Sequence, residues 1–445
     1  MNFLLTPYVA ALVLYIAELR GRLTRDRLSL PLPSPPALVA ILMASYAAQL
    51  AILRVVATST ARYHAIAQDG LVMPLPVIFP NFPHAGPLCA AFLSLGALQS
   101  AALVALYRLP VSRTLLWSGC ALNLAISVAA PVLGSFDLYG YVQNAMLGRG
   151  AYSPPSVPFP GEYHIIDLWF GEPTTTLYGP LWIPIVQMVM GLAPTLVTKM
   201  LAFRAFSAAL FLALLAMLAG NGQPRRVLAV IAVNPAMAFL TVANAHNDLL
   251  ALAILAAAAA LVRRFPVLAV AAIALAGLIK LPYALLGLPI LSAVRSSVLR
   301  WTGAVAAVAA AVGFSWLGAG PAYFRALQRH AGALDAGEVV RAAIILFAIV
   351  AIVSAVARRP RRVTAVWLMP SLGAFRVALM FPWYALFAFP YALGRRRVLR
   401  YLMVSLPFVT ALITPEMMQT WSFAFAIPLA VILSLRLPGK APERA

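Results

Sequence analysis

Cysteine is almost missing from this chain. Its 445 residues include two cysteines, Cys89 and Cys120, and both lie within apolar segments. A disulfide framework and a cysteine-based zinc site are therefore excluded. The sequence also lacks a glycine-rich phosphate-binding loop and a His-Glu-x-x-His helix, so it carries no signature of an ATP-driven enzyme or of a zinc peptidase.

Charged residues are scarce as well, at 10% of the chain, whereas 63% of its residues are hydrophobic. Soluble domains average about 45–50% apolar residues. Repeated apolar stretches of about 18–20 residues indicate helices that cross a bilayer, where each helix satisfies its own backbone polar groups. We therefore predict an all-α polytopic membrane protein, a bundle of about 12–14 crossings with an outer-face loop and interfacial helices.

Acidic residues are the rarest class, with 12 Asp and Glu against 33 Lys and Arg, for a net charge of +21. Short arginine-rich loops, such as 20–27 and 358–362, are assigned to the cytoplasm by the positive-inside rule. The N-terminus and the loops 134–178 and 320–338 then face out, with nine of the 12 carboxylates on that side. The charge therefore indicates topology and attraction to membrane lipids, and nucleic-acid binding is excluded because no such motif is present.

One pair of segments conflicts with this topology. Residues 179–197 and 201–219 look like two crossings, but the outer loop before them and Arg225-Arg226 after them require an odd number. Pro184 and Pro194 permit a kink. We therefore expect one of the two segments to be re-entrant or kinked.

A single carboxylate, Asp137, closely follows an apolar run long enough to cross a bilayer. Ionisable groups are costly near hydrocarbon, which makes Asp137 a functional-site candidate. Behind it lies the longest outer loop, roughly residues 134–178. If this loop begins as a helix, Asp137 and Tyr141 share one face at a spacing of four residues.

The rest of this loop combines aromatic residues, acids and a histidine between prolines and glycines that fix its turns. Such a loop can rest on the membrane and cover a site. The alternative is an interfacial loop whose acids are solvated, and the spacing of its acids is weak evidence for a divalent cation. Its candidate substrate-binding residues are Tyr139, Tyr141, Tyr152, His164, Asp167 and Tyr178.

A second cluster, His246-Asn247-Asp248, stands at a predicted helix boundary. These side chains can hydrogen-bond a sugar or position a carboxylate, and all three are substrate-binding candidates. The alternative is that Asn247 or Asp248 simply caps the following helix, since both residue types are favoured at that position.

Two basic residues, Lys280 and Arg376, interrupt apolar sequence. Each is costly there unless it is paired, and at the outer bilayer edge each suits the phosphate of a lipid. For Lys280 the alternative is a side chain that snorkels to the interface. Trp383 and Tyr384 follow Arg376 and form either a stacking platform for a sugar or part of an aromatic belt.

These motifs, in this order, resemble those of the GT-C superfamily of membrane glycosyltransferases. Asp-Leu-Tyr-x-Tyr (137–141), Gly-x-Gly-Ala-Tyr (148–152) and Leu-Tyr-Gly-Pro (177–180) look like the first outer loop of that superfamily. Asn-Pro (234–235), His-Asn-Asp (246–248), Ile-Lys-Leu-Pro (279–282) and Pro-Trp-Tyr (382–384) follow. The resemblance spans roughly residues 114–394 and is strongest to bacterial polyprenol-phosphate-mannose-dependent α-mannosyltransferases of lipoglycan assembly.

The resemblance implies a GT-C-like helix bundle and an inverting transfer of a sugar from a polyprenyl-phosphate donor. The acceptor would be a hydroxyl of a lipid-linked or cell-envelope glycan, Asp137 would be the general base, and Lys280 and Arg376 would hold the phosphate. Aromatic residues would bind sugar faces, and no metal or other cofactor is implied. Mannose follows from the resemblance alone, and the residues leave glucose, galactose and arabinose open.

The implied location is the bacterial plasma membrane, with the active site on the extracytoplasmic face. We expect one transmembrane domain over residues 1–445, in which 1–112 are extra N-terminal helices, 113–394 the GT-C-like core and 395–445 C-terminal helices. The alternatives are a transporter or flippase, which would have charges near the bilayer midplane, and a non-catalytic assembly subunit, which would not need Asp137.

Overall fold

The fold is known from a computed structural model that describes residues 33–58, 85–130, 132, 137–154 and 175–333, with the isolated positions 386, 406 and 407. Every regular element in these ranges is helical. The chain is an all-α polytopic membrane protein, as the composition predicts.

The described residues form twelve α-helices. α1, α2 and α3 precede the outer loop, α4 and α5 belong to that loop or follow it directly, and α6 to α12 complete the described bundle. The helices are α1 (Pro35–Thr58), α2 (Ala85–Arg108), α3 (Arg113–Ala129), α4 (Asp137–Leu147), α5 (Trp182–Met190), α6 (Leu196–Gly220), α7 (Arg225–Ala232), α8 (Pro235–Ala238), α9 (Asp248–Leu261), α10 (Pro266–Ile279), α11 (Pro282–Gly287) and α12 (Ser297–Ala333).

Three of these helices are long and apolar enough to cross a membrane. Their candidate spans are Pro35–Arg54, Leu196–Gly220 and Ser297–Gln328, and the bent pair of α7 and α8 adds a fourth if it is counted as one span. α9 and α10 have 14 residues each, so they are short apolar helices. This mixture fits a bundle that includes incomplete crossings.

The topological conflict between residues 179–197 and 201–219 disappears in the structure. α5 has only nine residues, which is about 14 Å of helix, against a hydrocarbon core of about 30 Å. α6 has 25 residues and is a candidate span. Only α6 is long enough to cross, so the number of crossings between the outer loop and Arg225 is odd.

The span made by α7 and α8 is bent by 56°. A break of this kind leaves backbone carbonyls without helical partners, and hydrocarbon offers no water to satisfy them. Asn123 of α3 donates to the Ala232 and Asn234 carbonyls over 3.0 and 3.2 Å. The Asn234 side chain accepts from the Ala236 N–H at 3.1 Å and so caps α8. The Asn-Pro dipeptide at 234–235 therefore builds this break.

Arg204 of α6 fastens two backbone segments that lead into the outer region. It is 2% exposed, and its Nε donates to the Ala243 carbonyl at 2.8 Å. Its Nη1 donates to the carbonyls of Val128 and Ala130. Ala130 ends α3 ahead of Asp137, and Ala243 ends a π-helical turn ahead of His246. One buried guanidinium thus holds together the chain segments that carry two candidate site residues.

The N-terminal helices of the described chain pack directly on this core. Tyr46 of α1 shares a 2.9 Å hydrogen bond with Ser127 of α3, and its ring meets Phe239 edge-on. Gln99 of α2 donates to Gln49 of α1 over 3.3 Å. Polar contacts of this kind help to fix the register of packed membrane helices.

One predicted loop is helical instead. Residues 320–338 were expected as an outer loop, but α12 continues to Ala333 after a kink at Gly320, whose φ is 67°. Glycine adopts this left-handed backbone without a steric penalty, and Pro321 then begins the second part of the helix. Tyr323 in that part is fully buried, so the segment packs on the protein.

We predict that Arg204→Met destabilises the protein, because the carbonyls of Ala243, Val128 and Ala130 lose their donor inside the bundle. Each buried carbonyl left without a donor costs about 1–3 kcal/mol. The expected result is a lower Tm in detergent, with Arg225→Met, at an exposed arginine, as the matched control. An unchanged Tm for Arg204→Met would contradict the fastening role.

Candidate functional site

Asp137 is the first residue of α4, so the outer loop does begin as a helix, and Asp137 and Tyr141 lie one turn apart on it. A carboxylate in the first turn of a helix is stabilised by the helix dipole. Leu138, Tyr139 and Val142 are fully buried, and they anchor the helix on the bundle. The Asp137 side chain keeps 24% of its surface exposed. A fixed helix therefore presents a partly open carboxylate.

His246 contacts this carboxylate from the chain segment before α9. Its Nδ1 lies 3.1 Å from Oδ2 of Asp137, and its side chain is fully buried. An ionised carboxylate only accepts hydrogen bonds, so Nδ1 carries the proton and donates it to this bond. Of the two uses suggested for the 246–248 cluster, this contact matches the positioning of a carboxylate.

The backbone just before His246 is strained. Ala245 has a φ of 52°, a left-handed conformation that costs a residue with a Cβ roughly 1–2 kcal/mol. Non-glycine residues in this region persist only where the surroundings hold them, and they concentrate at functional sites. The strained residue directly precedes His246, whose ring contacts Asp137.

Tyr141 connects the two segments through a second contact. Its hydroxyl accepts the backbone N–H of Asn247 at 3.1 Å, while its ring packs against those of Tyr178 and Trp182 at 5.5 and 4.8 Å. Burial raises the pKa of the Tyr141 phenol well above its usual value, so the hydroxyl stays neutral. Tyr141 lies one helical turn after Asp137, and it therefore locks α4 to the 246–248 segment.

Asp248 forms a buried ion pair with Lys280. Lys280 Nζ donates to Asp248 Oδ1 at 3.2 Å, and the Tyr283 hydroxyl donates to the same oxygen at 2.7 Å. The Asp248 side chain is 1% exposed and that of Lys280 17%. Lys280 is thus paired, and snorkelling alone does not describe it. Asp248 is the first residue of α9, and its carboxylate binds these side chains instead of acting only as a cap.

Asn247 stands between His246 and Asp248, and its side-chain amide makes no hydrogen bond to the described residues. It is 2% exposed, and neither its Oδ1 nor its Nδ2 has a hydrogen-bond partner among the described residues. Although it occupies the N-cap position of α9, its side chain makes no capping bond. Leaving a buried amide unpaired costs about 1–3 kcal/mol per group.

The segment Tyr178-Gly179-Pro180 returns from the outer loop and covers the end of α10. A helix leaves its last carbonyls without partners, and here Gly179 and Leu181 donate N–H groups to Ile279 and Leu278 over 2.8 and 3.1 Å. A Cβ on Gly179 would collide with the Leu278 carbonyl oxygen. This packing places the Tyr178 ring 5.9 Å from Lys280 Nζ, within the range of a cation–π contact.

The remaining predicted residues divide into two groups. Tyr139 is fully buried in α4 and Tyr152 is 2% exposed, so neither phenol ring lies open at the surface. The other five lie outside the described residues: His164, Asp167, Arg376, Trp383 and Tyr384. The described residues contain no group of three or more His, Cys, Asp and Glu side chains that could hold a metal ion.

Sequence reasoning missed two residues that organise the site. Arg204 is an arginine in an apolar run, a signal that marks functional positions in membranes and that could have identified it. Tyr283 stands directly after the Ile-Lys-Leu-Pro motif, but no periodicity indicates that it reaches Asp248.

Residues 37–296 match the model of the MptA_B family, described as alpha-(1->6)-mannopyranosyltransferase, N-terminal domain. The chain belongs to this family. The matched range includes all the contacts described here around Asp137, His246 and Lys280, and it begins within α1. Neither the curated proteins nor the solved structures contain a match to the chain.

Membership in this family makes the chain a membrane glycosyltransferase of a mannosyltransferase family. The resemblance to GT-C mannosyltransferases is thereby confirmed. Enzymatic transfer is favoured over transport and over a purely structural subunit, because the family is one of transferases.

We predict that Gly179→Ala disrupts the site, because its Cβ would displace Tyr178 and the end of α10 that carries Lys280. We expect mannose transfer to fall more than tenfold (roughly 1.4 kcal/mol or more in activation free energy), measured with membranes containing equal amounts of protein. Gly313→Ala is the control, since a Cβ there meets no atom within 4 Å. Equal activity of both variants would refute this packing role.

Proposed function

We propose that this MptA_B-family protein transfers mannose from a polyprenyl-phosphate donor to a hydroxyl of a lipid-linked or cell-envelope glycan, with Asp137 as general base. The contact between Asp137 and His246, over 3.1 Å, is the observation that carries the proposal. A carboxylate that is both oriented and partly exposed has what a general base requires.

The reaction is a single displacement. Asp137 takes the proton of the acceptor hydroxyl while the oxygen attacks C1 of the mannose. The bond between C1 and the phosphate oxygen breaks, and its electron pair leaves with the polyprenyl phosphate. Because the attack comes from the face opposite the leaving group, a β-linked donor gives the α-linkage in the family's description.

His246 is proposed as the positioning residue of the base. Its Nδ1–H donates to Oδ2 of Asp137 and thereby fixes the orientation of the carboxylate toward the acceptor hydroxyl. The strained backbone at Ala245 and the Tyr141 contact to Asn247 hold this arrangement before substrate arrives. Preorganisation of this kind lowers the cost of reaching the transition state.

The donor side of the site is proposed around Lys280. Its pairing with Asp248 fixes the ammonium in place, and its 17% exposure leaves it open to a further anion. A fixed cation stabilises the negative charge that develops on the leaving phosphate. Arg376 is proposed as a second phosphate ligand, with Trp383, Tyr384, His164 and Asp167 as sugar contacts. No metal or other cofactor is part of this proposal.

The unsatisfied amide of Asn247 supports a sugar at this position. A hydroxyl of the substrate would give its Oδ1 a donor and its Nδ2 an acceptor, which recovers the cost of burying them. The Tyr141 hydroxyl accepts the Asn247 N–H, and the Tyr141 ring packs against the ring of Tyr178. We propose Asn247 and Tyr178 as parts of the wall around the sugar, with the buried rings of Tyr139, Tyr141 and Tyr152 supporting it from beneath.

The proposed location is the extracytoplasmic face of a bacterial plasma membrane. The arginine-rich loops predict the cytoplasmic side, and they leave α4 and the 246–248 segment on the other side. All residues from 1 to 445 are proposed to form one transferase domain, in which 113–394 is the core, 1–112 supplies the preceding helices and 395–445 the last ones.

We predict that Asp137→Asn abolishes transfer while donor binding persists, because asparagine keeps the shape of the side chain but cannot take the acceptor proton. Loss of a general base lowers kcat by about 10²–10⁴. The measurement is transfer of radiolabelled mannose from purified polyprenyl-phosphate mannose in membranes, with donor binding measured separately. Full activity of the Asn variant would exclude Asp137 as the base.

We predict that His246→Phe lowers kcat with little change in the donor KM, because it removes the hydrogen bond that orients Asp137. The same substitution in the Asp137→Asn background should have almost no further effect, since residues that act through one another are not additive. If His246→Phe lowers kcat by the same factor in the wild-type and Asp137→Asn backgrounds of this double-mutant cycle, the positioning role is refuted. Tyr141→Phe removes the hydroxyl that accepts the Asn247 N–H, and it should lower kcat in the same direction.

A further inference from the structure

The end of the bundle opposite the candidate site carries arginines that the proposed function does not use. α3 begins at Arg113 and ends before Asp137, and α9 begins at Asp248 and ends just before Arg263. These helices have 17 and 14 residues, which is about 26 and 21 Å of helix. Among the residues that the structure describes, Asp137 and Asp248 are the only acidic ones. The arginine end therefore has no carboxylate in its described part.

Two neighbouring turns bring four of these arginines together. Arg108 ends α2, and Arg113 begins α3 after a short turn, while α7 begins with Arg225 and Arg226. α7 packs on both α2 and α3, and Cζ of Arg226 lies 5.3 Å from the centroid of the Tyr107 ring, in a cation–π contact. All four arginines are exposed. They are called the arginine cluster below.

The arginine cluster places positive charge where helices disfavour it. Arg113 is the first residue of α3, Arg225 and Arg226 are the first residues of α7, and neither helix has an acidic residue in its first turn. The N-terminus of a helix carries a partial positive charge, so cations there are unfavourable and anions are favourable. An anion bound at the cluster would offset both the helix dipoles and the repulsion between the arginines.

Other arginines at this end are placed differently. Arg263 and Arg264 follow the C-terminal end of α9, where the negative end of the dipole favours cations. Arg300 is buried, and its Nη1 donates to the carbonyls of Val294 and Arg295 at 2.9 Å. Local structure accounts for these three arginines. The arginine cluster differs from them because three of its four members stand at helix N-termini.

Exposed apolar side chains lie on the helices that carry the cluster. Leu98 on α2 and Leu122 on α3 are 46% and 49% exposed. They are about 15 and 14 Å along their helices from Arg108 and Arg113, which is close to the depth of one leaflet of a hydrocarbon core of about 30 Å. A phosphate held by the arginines can thus carry acyl chains along these faces, whereas a soluble anion makes no use of them.

We propose that the arginine cluster binds an anionic phospholipid of the cytoplasmic leaflet whose head group carries two phosphates. The arginine-rich loops predict the cytoplasmic side for this end, where the leaflet surface is negative. Guanidinium groups bind phosphate oxygens through paired N–H groups, and four of them match two phosphates better than one. The ligand is held at the far end of the bundle from Asp137, so its binding is independent of the transfer reaction.

The test measures lipid binding to the full-length protein. Protein in neutral detergent is titrated with diphosphatidylglycerol, a phospholipid with two phosphates, and bound lipid is measured by native mass spectrometry. We expect Arg225→Ala/Arg226→Ala to weaken binding roughly tenfold to thirtyfold, since each basic residue near an anionic membrane surface contributes about a fivefold factor. Arg225→Lys/Arg226→Lys should recover part of the loss, because lysine keeps the charge without the paired N–H groups.

The matched control is Arg263→Ala/Arg264→Ala, which removes the same charge from the same end of the bundle but at a helix C-terminus. It should bind the lipid with wild-type affinity. Equal weakening by the two double variants would overturn the site, because the net charge of the whole face would then attract the lipid. Arg113→Ala, on a different helix, should also weaken binding, and unchanged binding by folded Arg113→Ala would overturn the site as well.

Stability and competition identify the ligand. Diphosphatidylglycerol should raise the Tm of the wild type in detergent but not that of Arg225→Ala/Arg226→Ala, since a ligand stabilises only the form that binds it. Phosphatidylglycerol should compete weakly, and phosphatidylcholine and pyrophosphate should not compete. Equal competition by phosphatidylglycerol would overturn the requirement for two phosphates. Displacement by pyrophosphate would indicate a soluble anion, and displacement by polyglutamate an acidic protein, and either would overturn the lipid assignment.

The lipid site and the general base fail separately. Asp137→Asn should bind diphosphatidylglycerol like the wild type, whatever its transfer activity. If Asp137→Asn retains full transfer but Arg225→Ala/Arg226→Ala loses lipid binding, the general base is wrong and the lipid site stands. If Asp137→Asn abolishes transfer and the arginine variants bind lipid normally, the general base stands and the lipid site is wrong.

Discussion

The structure around the site depends on one constraint: a carboxylate surrounded by apolar helices must have a partner. Asp248 is 1% exposed and receives both Lys280 and Tyr283 on one oxygen. Removing a buried charge from water costs several kcal/mol, so these donors must be present for α9 and α10 to pack as they do. The ion pair thus fixes the ends of two helices at the height where His246 meets Asp137.

Tyr178 and Gly179 extend that constraint to the outer loop. The N–H groups of Gly179 and Leu181 satisfy the last carbonyls of α10, which places the Tyr178 ring over Lys280 and against Tyr141. The described end of the loop is consequently attached to α10, next to the ion pair, through backbone hydrogen bonds. Its beginning at Asp137 and its return at Tyr178 are parts of one packed unit.

Much of the fold and part of the site could be predicted from the sequence. The helical class follows from composition. The i, i+4 spacing of Asp137 and Tyr141 places them on one face only once the segment is known to be a helix, which the structure shows. The sequence indicates that a lysine within apolar sequence needs a partner. It does not indicate that the partner of Lys280 is Asp248. The outer loop expected at 320–338 was wrong as far as Ala333, because local polarity does not reveal that Tyr323 takes a buried position on α12. His164, Arg376 and Trp383 lie outside the described residues.

The sequence alone determined that the chain is an all-α membrane protein, and it singled out Asp137, Asp248 and Lys280 as charged residues within or beside apolar sequence. These are properties of single residues and of their spacing along a helix. Only the tertiary structure decided that His246 contacts Asp137, that Lys280 contacts Asp248, and that Arg204 joins the carbonyls of Ala130 and Ala243. Those contacts join residues up to 109 positions apart, and long-range pairing is set by how helices pack, which no local pattern encodes.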